Sequence, residues 1–298
     1  SLQARFGGTI LNEFAESENF GDKQRQNQIQ LFSSLTFYPM SNLGITTNLR
    51  EIIFNDTEVF VPSLGAEYIL SERINRSILL RGQVSRDFRV PTFNDLFWIP
   101  GGNLELRPER SSNAEVGLDF GLEKTTIRFT SFYSDINDWI QWRPINSVWS
   151  PRNLRRVKTR GLESFIDTQV PVGQSLLSIA VAYTYVRSED QSIDERNQLP
   201  YVPEHEFFGS LNTILGDYVL GFRGNFTSVR YTTLTNSIQS QVDEFLLFDA
   251  SIRRSLTLKG VAVECRLNLT NLFDANYQVV KNHAMPGRAF SIELTTKF

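Results

Sequence analysis

The sequence predicts an all-β fold: an antiparallel transmembrane β-barrel with about 14 strands in residues 1–298. Three observations carry that prediction. Apolar and polar residues alternate with a period of two in stretch after stretch, as a strand with one apolar and one wet face requires. Connections alternate between short turns and long loops, the arrangement of a barrel with one trimmed rim and one elaborated rim. The last stretch, Phe290 to Phe298, puts Phe290, Ile292, Leu294 and Phe298 on one face and Ser291, Glu293, Thr295 and Lys297 on the other. A final aromatic ring on such a strand suits the girdle at a membrane edge. Those nine residues alone would equally suit the edge strand of a soluble β-domain.

Taken in order, the first strand is expected around Ala4–Phe14. Residues 28–37 set Ile29, Leu31, Leu35 and Phe37 against Gln28, Gln30, Ser34 and Thr36. Residues 77–85, 114–120, 177–185, 218–226 and 261–269 repeat the pattern, the last with Val263, Cys265 and Leu267 opposite Glu264, Arg266 and Asn268. The polar faces carry Arg81, Asp119, Arg223, Glu264 and Arg266, which suits water inside and lipid outside. Turn-like segments are expected at 38–42, 71–75, 121–124, 171–174, 215–217 and 255–260. Long loops are expected at 17–26, 51–58, 87–110, 136–157, 187–204, 229–243 and 271–287. Running the last strand down to the periplasmic rim makes every long loop external and puts both chain ends on the periplasmic side.

Composition narrows the function classes. Charged residues are 21% and hydrophobic residues 41%, a balance that argues against disorder. Mean hydropathy is −0.24, and no apolar run reaches the length of a spanning helix; transmembrane strands hide half their residues from lipid and escape that measure. A net charge of −3 offers no basic footprint for nucleic acid. Cys265 stands alone, so no internal disulfide forms. No basic-then-apolar leader opens at Ser1. His205 and His283 have no partner pattern that would make a nucleophile–base pair or a metal site, so no catalytic residue, metal or cofactor is expected.

Residues 84–119 contain Ser85-Arg86-Asp87-Phe88-Arg89-Val90-Pro91-Thr92-Phe93-Asn94-Asp95-Leu96-Phe97, then Gly102-Asn103-Leu104-Glu105-Leu106-Arg107-Pro108-Glu109. Residues 268–277 read Asn-Leu-Thr-Asn-Leu-Phe-Asp-Ala-Asn-Tyr, and Met285-Pro286-Gly287-Arg288 leads into the final strand. These three motifs, in this order, resemble the barrel of TonB-dependent outer-membrane receptors, most closely those for cobalamin or ferric siderophores. The resemblance covers essentially the whole chain. It implies a 22-stranded barrel of which residues 1–298 are the C-terminal part, with the family's N-terminal plug, its TonB-engaging box and the first strands absent from this stretch. It also implies the bacterial outer membrane and its lipid, the TonB complex reached through the missing region, a metal-chelate or cobalamin ligand, and the barrel-assembly machinery as partners. Phe290, Ile292, Leu294 and Phe298 would then form the assembly signal.

Within the motifs, Pro91 is expected to fix the chain direction where a strand leaves the membrane. Gly101-Gly102-Asn103 is expected to supply positive backbone dihedrals in a tight external turn. Phe97, Trp98, Asn103, Trp149, Arg152 and Tyr231 fall in or beside external loops and are the ligand-binding candidates. Trp98 and Trp149 suit either a stacking surface or the interfacial girdle; Trp139 and Trp142 suit the girdle better. Arg152, Arg155, Arg156 and Lys158 form a basic run suited to an anionic siderophore, a lipopolysaccharide phosphate or a solvated rim. The reading is a receptor barrel for a large scarce nutrient; a self-contained porin-like channel of about 14 strands and a soluble all-β binding protein are its rivals.

Overall fold

The computed structural model describes residues 1–54, 57–191, 197–258 and 261–297. The strands are β1 (Leu2–Ala15), β2 (Gln24–Met40), β3 (Leu43–Phe54), β4 (Thr57–Arg73), β5 (Arg76–Arg89), β6 (Glu109–Leu122), β7 (Thr125–Ile145), β8 (Val148–Val172), β9 (Ser175–Asp190), β10 (His205–Leu215), β11 (Tyr218–Thr227), β12 (Arg230–Tyr231), β13 (Gln241–Val242), β14 (Phe245–Leu258), β15 (Val261–Thr270) and β16 (Ala289–Lys297). Fourteen of them make one antiparallel sheet in chain order; β12 and β13 pair separately. Among the described residues no ladder joins β1 to β16. The one α-helix among them, α1 (Phe93–Phe97), is a single turn. No described helix is long and apolar enough to cross a membrane, which says nothing of strands.

The alternation sorts side chains by face. The register opposes Ile10 to Ile29, Leu118 to Phe129, Leu211 to Phe222 and Cys265 to Leu294 on one face. That face is exposed: Leu31 at 57%, Phe60 at 51%, Val116 at 52% and Ile292 at 62%. A contiguous apolar surface of this extent calls for a non-aqueous covering. The other face carries ion pairs across strands, Arg81 with Glu115 and Asp119, and Arg253 and Arg266 with Glu264. Glu264 and Arg266 thus share the polar face as expected. The buried residues lie near the long-loop rim, among them Ile52, Phe54, Leu106, Ile140, Leu154, Val157 and Leu199.

Short turns close as predicted, with positive φ at Asn75 (64°), Gly173 (61°) and Gly216 (58°). Residues 259–260 of the turn expected at 255–260 lie outside the described residues. Both described ends sit on this rim: Ser1 and Tyr38 exchange backbone hydrogen bonds, and Lys297 pairs with Ala262. Two expected long loops are corrected. At 51–58 the strands stay paired up to Phe54 and Thr57, and residues 55–56 lie outside the described residues. At 136–157, β7 and β8 continue to Ile145 and Val148 as a tall ribbon turned by Asn146 and Ser147, both at positive φ. Beyond Asn137 the ribbon has no β6 neighbour, and beyond Val157 no β9 neighbour. Its outer edges carry no ladder to a neighbouring strand, which is why Pro144 and Pro151 fit in strands there.

Cys265 lies on the apolar face with Val263 and Leu267. It is the fifth of the ten β15 residues, and its neighbour Arg254 bonds Asp217 in the β10–β11 turn at 3.2 Å and covers the Tyr218 ring. Of the expected assembly signal, Phe290, Ile292 and Leu294 stand exposed on the apolar face; Phe298 lies outside the described residues.

Candidate ligand-binding loops

The rim is built around two buried carboxylates. Thr92 caps α1 by accepting from the Asp95 N–H at 3.2 Å, while Asp95 accepts the Thr92 N–H at 2.9 Å and the Thr92 hydroxyl at 2.8 Å. The second Asp95 oxygen accepts the Trp142 indole N–H at 2.8 Å. Glu109, at the foot of β6, accepts the Ile140 N–H at 2.8 Å. Arg89 reaches both acids, Asp95 at 3.6 Å and Glu109 in close contact. Burying two carboxylates is tolerable only with this density of donors. The result ties β5, α1, β6 and the β7–β8 ribbon into one unit.

The 90–108 loop is stitched to the ribbon further out. Asn103 donates its backbone N–H to the Asp95 carbonyl (2.8 Å) and its amide N–H to the Pro151 carbonyl (3.1 Å), and accepts the Glu105 N–H (3.0 Å). Asn153 and Arg107 exchange two hydrogen bonds of 2.9 Å. Arg107 also bonds Asp138, which holds its guanidinium pKa above the ordinary value. Gly101 and Gly102 do not adopt the expected positive φ. They are needed for close approach: a Cβ on Gly101 would collide with the Trp149 carbonyl oxygen, and one on Gly102 would fall 2.6 Å from the Leu96 oxygen.

Above this frame lies an apolar crest. Trp98 meets Phe20 edge-on, and Phe93 contacts both Phe20 and Phe97. A concavity of about 330 Å³ is lined by Leu96, Phe97, Trp98, Ile99 and Leu104. Trp98 is 36% exposed and Trp149 55%. The structure therefore gathers Phe97, Trp98, Asn103 and Trp149, with Arg152 exposed on the same ribbon opposite Gln141. Asn103 spends its polar atoms on the frame. The girdle assignment of Trp139 and Trp142 is corrected: Trp142 bonds Asp95, and Trp139 packs on the Leu154, Val157 and Leu199 cluster. Both lie on the ribbon where it packs against neighbouring loops.

Tyr231 belongs to a second group. Its carbonyl accepts the Tyr201 N–H at 2.7 Å. Beside it Arg230 is 4% exposed, stacks over Phe245 at 5.0 Å, and donates to the carbonyls of Asp243, Gln278 and Val279. Burial lowers the Arg230 pKa from its ordinary value. Sequence reasoning missed Arg230; nothing local to the chain announces that it will bridge 229–243 to 271–287. The Asn271–Tyr277 motif proves architectural in the same way. Asn271, at φ 49°, brackets Ala275 from both sides, and Asp274 accepts the Arg288 N–H at 2.7 Å. His205 rests against Tyr183 and Tyr185 on the apolar face, its Nδ1 2.9 Å from the Tyr183 hydroxyl.

Comparison with known proteins bears on this geometry. The family model described as TonB dependent receptor-like, beta-barrel matches residues 2–272. A vitamin B12 transporter BtuB of Photobacterium profundum is 24% identical over 284 residues, covering 94% of this chain and 44% of that protein. A BtuB of Vibrio vulnificus is 28% identical over 207 residues, covering 68% and 31%. Among solved structures, the siderophore receptor PirA from Pseudomonas aeruginosa superposes with a TM-score of 0.71 at 17% identity, covering all of this chain and 52% of that one. The copper transporter OprC does so with a TM-score of 0.70 at 17% identity, covering 91% and 47%. The chain spans about half, or less, of the length of these relatives.

Proposed function

The chain belongs to the TonB-dependent receptor-like β-barrel family, and from that premise we propose that its long-loop rim binds a large scarce nutrient, cobalamin or a ferric siderophore, for uptake across a bacterial outer membrane. This is a family of outer-membrane receptors and transporters, and uptake of this kind changes no bond in the ligand. The observation that carries the reading is the exposed aromatic crest at Trp98 and Trp149, fixed from below by buried hydrogen bonds. Rigid rings lose little entropy on binding and offer flat area to a chelate or corrin. In this reading Phe97, Trp98, Trp149, Arg152 and Tyr231 touch the ligand, and Asn103 acts by holding the loop against the ribbon.

The same reading makes residues 1–298 the later part of a 22-stranded barrel, with TonB acting on a plug encoded elsewhere in the receptor. The short coverage of the relatives supports it. The self-contained channel is not favoured, because the matching family model is one of receptor barrels. The soluble alternative leaves the exposed apolar face without a covering. Phe290, Ile292, Leu294 and Phe298 would serve the insertion machinery; deleting Phe298 should lower outer-membrane insertion far more than changing Lys297, and equal effects would count against it.

The test is uptake of labelled cyanocobalamin and of ferric siderophores by cells whose receptor carries this chain, with and without TonB. Replacing Trp98 and Trp149 together by alanine should weaken binding of the cognate ligand about tenfold or more, or some 1.4 kcal/mol. Unchanged binding of every ligand, or uptake indifferent to TonB, overturns the proposal.

A further inference from the structure

The apolar face changes character on β7 to β9 toward the long-loop rim. Climbing β8, Ile166 and Leu162 give way on the same face to Arg160, Lys158 and Arg156. The register sets Arg160 between Tyr133 and Arg187, and Lys158 between Asp135 and Glu189. A recess of about 150 Å³ opens there, lined by Tyr133, Lys158, Arg160, Glu189 and Gln191. Residues 162–172 below it match the roughly 9–11-residue stretch that crosses a bilayer in a tilted strand. The recess therefore falls at the headgroup level of the outer leaflet, with Tyr183, Tyr185 and His205 just beneath as an amphipathic belt.

The charges facing the recess are unevenly matched. Asp135 is taken by Arg156, and Glu189 by Arg187 at 2.6 Å, which also faces Glu204 at 3.4 Å. Among the described residues Arg160 reaches only Glu189, at 3.8 Å, with 63% of its side chain exposed. Lys158 has no ion pair among the described residues. Among the described residues, Lys158 and Arg160 thus stand beside a recess whose acids Asp135 and Glu189 are each held closely by another arginine, directly above a lipid-facing surface.

We infer that this recess binds the phosphate of an outer-leaflet lipid headgroup. Lys158 and Arg160 pair with the phosphate oxygens, Tyr133 forms one wall, and the acyl chains lie along Leu162, Tyr183 and Phe207. A free anion would gain the same charge contacts but no apolar surface, so the amphiphile is the fitting occupant. The inference rests on the outer-membrane reading above.

The experiment uses the protein extracted from membranes in a non-ionic detergent. Binding of diphosphoryl lipid A, of its dephosphorylated analogue and of inorganic phosphate is measured by native mass spectrometry and by thermal shift. The expected result is retention of diphosphoryl lipid A, with affinity falling tenfold or more for Lys158→Gln/Arg160→Gln and unchanged for Arg128→Gln on the polar face. Glu189→Gln, which removes the carboxylate in the recess, should tighten binding. Heat-modifiable migration on gels confirms that each variant is folded. Equal binding of the dephosphorylated analogue, equal binding by the double variant, or inorganic phosphate competing as well as the lipid would each overturn the inference. Failure of the outer-membrane reading would appear separately, as protein that stays soluble and monodisperse without detergent.

Discussion

Arg253, on the polar face of the sheet, and Asp95, under the long-loop rim, are both ion-paired, yet they do different work. Arg253 shares Glu264 with Arg266, which in turn reaches Glu293; the four side chains are between 32% and 57% exposed. Asp95 has a side chain 5% exposed and accepts from Thr92 and Trp142 while facing Arg89. The sheet takes its order from a period-two pattern and a continuous ladder, so its polar groups are many, wet and interchangeable. The loop layer has no such pattern, and single buried groups fix its shape. The lesson is that tolerance should follow the kind of order: spread over the sheet, concentrated at a few positions in the loops.

The largest effect should come from Asp95→Ala. It leaves Arg89 short of one partner, the Trp142 N–H and the Thr92 N–H and hydroxyl without their acceptor, and a space where the carboxylate sat. Arg89, half exposed, keeps Glu109, so the cost comes from the buried donors left without an acceptor, typically about 1–3 kcal/mol each. Because the cost falls on the loop unit, hydrogen exchange should rise over residues 90–108 and 138–153 while the β9–β11 ladder keeps its protection. Uniform loss of protection across the sheet would break the comparison, since it would make the rim a foundation of the wall.

Arg230→Met should come next. It keeps the stem against Phe245 and removes the donors to Asp243, Gln278 and Val279. Hydrogen bonds from a charged donor are worth about 1.5–3 kcal/mol net, discounted here by relief of burying the guanidinium. Residues 229–243 and 271–287 should loosen together in limited proteolysis. Loosening of one without the other would show that Arg230 does not couple them.

The same contrast explains what could be read from the chain. Ile29, Leu31, Leu35 and Phe37 announce their face because a sheet with one apolar and one polar side imposes a strict period. The expected 14 strands and the alternation of rims follow from that alone. The β7–β8 ribbon escaped because it rises past its neighbours: with no strand laddered beside it, Trp139 to Ile145 mixes aromatic, charged and proline residues without alternation. Gly102 was legible as a special position but not as to why, since a missing Cβ and a positive φ look identical in sequence. Asp95 and Glu109 were visible inside a motif, yet their burial depends on Arg89 and Trp142, which lie far apart along the chain. Phe97, Trp98 and Trp149 were singled out as candidates by residue type and loop placement; that they share a frame was not legible.

The smallest effect should belong to Arg253→Gln. The ladder holding β14 between β11 and β15 does not depend on the side chain, and Glu264 retains Arg266 at 3.5 Å. An exposed pair of this kind contributes about 0–1 kcal/mol, and the long side chain regains rotamer freedom when it is broken. High salt should shrink even that difference, because screening acts on wet pairs and hardly on buried ones. Melting of Arg253→Gln and of the parent chain in detergent at low and high salt is therefore expected to differ by little and to converge. A loss approaching that of Asp95→Ala, insensitive to salt, would mean that the inner wall also rests on single charges, and the division between sheet and loops would fail at its most secure point.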